Sequence, residues 1–96
     1  MSQDQEGQEP EALPIIDFST FLLSLSHSAL MHLGEARHPD DDRIERNLPL
    51  AKQGIDLLGL LEEKTRGNLT GDEERLLSQV LFDLRHRYLE LTKERA

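Results

Sequence analysis

Cysteine and tryptophan are absent from the 96 residues, and aromatic side chains make up only 4% of them. The missing cysteine excludes a disulfide framework, a thiolate metal site and a cysteine nucleophile. Basic residues are also scarce, with 11 Lys and Arg against 19 Asp and Glu, for a net charge of −8. That balance disfavours nonspecific binding to nucleic acid or to an anionic membrane, since both need clustered cations. A chain this short holds one core at most. What it has in abundance is leucine, at 19 positions. That much leucine argues for a packed domain even though charged residues reach 31% and hydrophobic ones only 36%.

Charge divides the chain unevenly. Residues 1–16 hold four acids and no base, hence half of the −8. With Gln3, Gln5, Gln8, Gly7, Pro10 and Pro14 among those acids, the segment has too little apolar surface to offset the entropy of ordering it, and it reads as an acidic disordered tail. It shows neither the basic and apolar regions of a secretory signal nor the arginines of a transit peptide, so the expected compartment is the cytoplasm. The remainder, 17–94, is expected to be one helical domain.

Asp17 is placed to cap a first helix that ends near Gly34. At 100° per residue, Phe18, Phe21, Leu22, Leu25, Ala29 and Leu33 form a core-facing stripe. Leu23 and Leu30 fall on the opposite side with His27 beside them, and small hydroxyls such as Ser24 and Ser28 fill much of the rest. Residues 35–47 are polar, include Asp40, Asp41 and Asp42, and read as a long loop. Asn47 and Pro49 then mark the start of a second helix, expected to run to Arg66 with Gly67 as the residue that turns the chain. Its apolar face is Leu50, Ala51, Gly54, Ile55, Leu57, Leu58 and Leu61. Gly54 lies within that face at a cost of about 1 kcal/mol against Ala, which points to a close helix–helix approach there. Gly59, off to the side, has no such reading.

Thr70 followed by Glu73 is a capping box for a third helix, expected from Gly71 to about Lys93. The link of Gly67, Asn68 and Leu69 is too short for anything but antiparallel neighbours. Leu77, Val80, Leu81, Leu84, Tyr88 and Leu91 form the core stripe of this helix. Phe82 and Leu89 point away from it, with His86 between them.

Catalytic and metal-binding patterns are thin. His27 and His32 are five residues apart, about 140° around a helix, whereas a helical ligand pair needs a separation of three or four. The His38–Pro39–Asp40–Asp41–Asp42 run lacks the spaced oxygen ligands and the glycine of a calcium loop. No G-x-S-x-G, phosphate-cradling glycine loop or H-E-x-x-H occurs. The expectation is therefore a non-enzyme with no cofactor and no metal. Arg85, His86 and Arg87 are interleaved with acids and read as a solvated face, which makes nucleic acid an improbable partner. A membrane span from Leu13 to Leu33 would bury Asp17 and two histidines.

Certain strings have a wider resemblance. Asp17-Phe18-Ser19-Thr20-Phe21, Asn47-Leu48-Pro49-Leu50-Ala51, Ile55-Asp56-Leu57-Leu58 and the run Glu63-Lys64-Thr65-Arg66-Gly67-Asn68-Leu69-Thr70 resemble a bacterial family catalogued as domain of unknown function 1844. The resemblance spans Ile16 to Leu91 and implies a small bacterial, cytoplasmic, helical protein. It carries no activity, ligand or catalytic residue with it.

The expected architecture is all-α: three helices, the second and third an antiparallel hairpin with the first packed across them, completed by oligomerisation. Three helices cannot cover every apolar face for one another, and Leu23, His27 and Leu30 on the first helix with Phe82, His86 and Leu89 on the third form the expected interface of a homodimer or higher oligomer. The competing arrangement folds Ile15–Ile16 or the Ile44 loop over these strips. Functionally this reads as a structural or interaction module that binds itself and a further protein. The alternatives are a metal-binding protein or enzyme using the histidines and the acidic loop, or a nucleic-acid- or ribosome-associated factor.

Overall fold

The computed structural model describes residues 15–38 and 41–95. The acidic tail expected over residues 1–16 lies outside them except for Ile15 and Ile16, both exposed. Three helices follow in order, α1 (Phe18–Leu33), α2 (Leu48–Lys64) and α3 (Gly71–Arg95), with no strand among the described residues. Each packs against both of the others, and the fold is all-α. The turn between Lys64 and Gly71 makes α2 and α3 an antiparallel hairpin, with α1 lying against the pair.

Each helix begins on a side chain that accepts a hydrogen bond from a backbone amide the helix leaves unpaired. Asp17 Oδ1 accepts from the Thr20 amide at 2.8 Å, and Asn47 Oδ1 accepts from the Leu50 amide at 3.1 Å. At α3 the exchange is reciprocal: the Glu73 amide donates to Thr70 Oγ1 while Glu73 Oε1 accepts from the Thr70 amide. The C-terminus of α1 is closed by Gly34 at φ 81° and by the loop coming back to it. Asn47 donates its amide to the His32 carbonyl at 2.7 Å, and Arg46 Nε donates to the Leu33 carbonyl at 3.2 Å. The 35–46 loop thus starts and ends at the same helix terminus, and Arg87 of α3 pairs with Glu35 at its base.

The end of α2 differs from the expectation. It stops at Lys64 with Thr65 as the cap, because Thr65 Oγ1 donates to the Leu61 carbonyl at 2.8 Å and occupies an acceptor of the last turn. The chain passes through Arg66 before Gly67 turns it, at φ 86°.

The core is built from Leu22, Ala29 and Leu33 of α1, Leu48, Ala51, Ile55 and Leu58 of α2, and Leu77, Leu81, Leu84 and Leu91 of α3. Two expectations about facing are corrected. Leu30, placed opposite the core by periodicity, is half-buried and packs against it. It lies about 60° around the helix from Leu33, on the edge of an arc widened by contact with two neighbours. Conversely, Phe21, Leu50 and Leu57, placed in the core, are 42%, 42% and 54% exposed. Leu50 and Leu57 each sit about 100° from the buried Ala51 and Leu58, beyond what α1 and α3 cover.

The two glycines of α2 both face neighbours. A β-carbon on Gly59 would stand 3.0 Å from the Arg85 guanidinium of α3. One on Gly54 would meet the Ala29 β-carbon at 3.6 Å, which is ordinary van der Waals contact. The approach of α1 and α2 at Gly54 is therefore close but leaves room for a methyl group. Gly54→Ala should raise the melting temperature, with a gain of up to about 1 kcal/mol from helix propensity, whereas Gly54→Leu should lose about 1–3 kcal/mol through overpacking. Gly34→Ala should be destabilising by about 1–2 kcal/mol, since its left-handed backbone has no place for a β-carbon. Thermal and denaturant unfolding of the three variants checks the ordering.

Candidate functional site: two exposed apolar surfaces

Two surfaces carry large apolar side chains that the three helices leave uncovered. The larger runs along the seam between α1 and α2. At one end Phe21, Leu25, Leu57, Leu60 and Leu61 form an apolar groove bounded by Lys64. The middle shares Leu25 and Leu57 with that end and adds Ser28, Gln53 and Gly54. The far end shares His32 and Leu50 with the middle and turns polar, lined by His38, Arg43, Glu45 and Asn47. Between Lys64 and the Arg43–Glu45 end, no Asp, Glu, Lys or Arg among the described residues lines the seam. The reason lies in α1, which carries no residue of those four types from Phe18 to Leu33.

The smaller surface is on α3. Phe82 and Leu89 are 75% and 59% exposed, and the His86 ring stacks on Phe82 with centroids 6.4 Å apart and planes at 8°. Arg85 and Ser78 flank them, with Glu62 of α2 at the edge. No described residue lines both surfaces.

Of the six residues expected to form an interface, Phe82, His86 and Leu89 lie together on α3. Leu23 and His27 are exposed on α1 but line neither surface, and Leu30 is turned inward. Leu23 and His27 therefore do not line the surface that holds Phe82, His86 and Leu89. The α1/α2 seam was missed because Leu50 and Leu57 were assigned to the core. The signal available was the width of the α2 apolar face, whose margins at Leu50 and Leu57 lie beyond the arc that α1 and α3 bury.

One ion pair, Arg43 Nε to Glu45 Oε1 at 3.0 Å, lies at the polar end of the seam, where Arg43 also pairs with Asp41, and the pairs on α2 and α3 sit away from it. Lys52 Nζ lies 2.8 Å from Asp56 Oδ2, and Arg87 bridges Asp83 and Glu35. Hydrogen bonding to Asp56 holds the Lys52 ammonium above its ordinary range, and bonds to Asp83 and then Glu35 do the same for Arg87. His38 Nδ1 is 3.9 Å from Asp41 Oδ1. Among the described residues, no three His, Asp or Glu side chains are grouped to hold a metal ion. Among the described residues, no helix is long and apolar enough to cross a membrane.

The described residues define an all-α fold of three mutually packed helices with two uncovered apolar surfaces. The chain belongs to the family described as Domain of unknown function (DUF1844), whose model matches residues 15–90. No curated protein and no solved structure matches it.

The cap of α1 gives a test of these electrostatics. The hydrogen bond from Thr20 holds the Asp17 carboxyl below its ordinary value of 3.8. A carboxyl whose pKa is lower folded than unfolded contributes stability above the unfolded value and loses it as pH falls through the folded one. Asp17→Asn keeps an oxygen acceptor for Thr20 but does not titrate. The melting temperature of the wild type should therefore fall relative to that of Asp17→Asn only below about pH 4. A difference that stays constant through that range would show that the charged cap adds nothing.

Proposed function

We propose that this protein is a non-enzymatic helical module that acts by associating with itself and, through what remains exposed, with a further protein. One observation carries the reading. The described residues leave Phe21, Leu57, Leu60, Phe82 and Leu89 between 42% and 75% exposed, in two contiguous surfaces. Exposed apolar patches of this kind mark interaction sites in soluble proteins. Covering one Leu or Phe contributes about 1.5–3 kcal/mol before the cost of association, and a two-fold pairing uses every such contact twice. The bacterial and cytoplasmic setting belongs to the same proposal and rests on the family resemblance alone.

Light scattering coupled to size exclusion at micromolar concentration tests it. The wild type should give a mass of two or more chains, and its melting temperature should rise with protein concentration. A mass of one chain across the concentration range would overturn self-association.

A further inference from the structure

We propose that the α1/α2 seam binds the same seam of a second copy, antiparallel, about a two-fold axis near Gly54. This rests on the self-association proposed above and assigns it a surface. Charge selects the occupant. A nucleic acid or a strongly basic segment would find no counter-charge between Lys64 and the Arg43–Glu45 end. Two chains of net charge −8 repel each other wherever acids are exposed. A surface on which they can meet has to be free of acids, and a second copy brings one of the same length and the same neutrality.

The two ends of the seam set the direction. Lys64 stands at one end; at the other Arg43 pairs with both Asp41 and Glu45, which leaves one carboxylate in excess there, and Lys64 takes part in no ion pair among the described residues. An antiparallel pairing lays Lys64 of each copy against Glu45 of the other. A parallel pairing would set Lys64 against Lys64. The register is compatible, because Gly54 is ten residues from Lys64, about 15 Å along the helix, and seven from the cap at Asn47, about 10 Å. Ser28 and Gly54 at the middle of the seam are small, so backbones can approach closely there. The product would be four helices, α1 and α2 from each copy, closed by symmetry.

The absence of native cysteine makes single-cysteine variants unambiguous reporters. Gln53 and Phe82 are both exposed, so Gln53→Cys and Phe82→Cys leave the core intact. A short bis-maleimide should join Gln53→Cys chains into a covalent pair and leave Phe82→Cys chains unjoined. Lys64→Glu and Glu45→Lys should each raise the dimer dissociation constant about tenfold, and the double variant should recover most of that loss, since the exchanged charges face each other again. Circular dichroism confirms that each variant is still helical. A wild type of two-chain mass in which Gln53→Cys does not crosslink, or in which Phe82→Cys crosslinks instead, overturns the seam and leaves self-association standing. Charge-exchange losses that add in the double variant overturn the antiparallel direction. A one-chain mass for the wild type overturns both proposals together.

Discussion

A sixteen-residue helix with no Lys, Arg, Asp or Glu has no charged face to offer to water, and the rest of this molecule is arranged around that fact. One neighbour buries only a stripe of such a helix, and two neighbours more. α1 accordingly touches both α2 and α3, and its buried arc is wide enough to take in Leu30 as well as Leu22, Ala29 and Leu33. What remains is the edge toward α2, where Phe21 and Leu25 meet Leu57 and Leu60 without being covered. The exposed seam is thus the residue of a packing problem that three helices of this composition cannot solve alone.

The loop between α1 and α2 follows from the same constraint. The last carbonyls of an apolar helix need partners, and the loop supplies them by returning to its own starting point, with Arg46 and Asn47 donating to Leu33 and His32. That closure fixes where α2 begins, and so fixes Leu50 beside His32 at the polar end of the seam. Arg87 on Glu35 adds little energy as a partly exposed pair, but it ties the base of the loop to α3. Positions far apart in sequence become one structural unit through backbone satisfaction more than through side-chain packing.

Much of the fold was legible in the sequence, because three helices and their order follow from local signals that act within a few residues. Facing was less legible. A stripe at helical spacing shows which residues share a side, yet whether its margins are covered depends on where the other helices lie. Leu30 and Leu57 sit on such margins and exchanged places with what periodicity alone implies. Gly59 was opaque for a similar reason: the Arg85 guanidinium that lies over it comes from α3, and nothing near Gly59 in the chain announces it. The end of α2 moved by two residues because the Thr65 hydroxyl took a carbonyl that propensity reasoning had left to the helix. The seam itself draws on both helices, so neither segment displays it alone.

The distribution of charge bears on how such a seam would discriminate among partners. Four of the acids lie in residues 1–16, and the ion pairs of α2 and α3 lie off the seam. Every approach that brings acidic surface toward acidic surface is disfavoured over a range of about 10 Å at moderate salt. Approaches along a neutral groove escape that penalty. Repulsion elsewhere then acts as a filter, leaving apolar complementarity as the criterion for binding and the charges at the two ends to set direction. A uniformly acidic surface would keep the chains apart, and a uniformly apolar one would let them meet in any orientation. A neutral seam with a lone cation at one end and, at the other, two carboxylates sharing one arginine restricts both the partner and the pose.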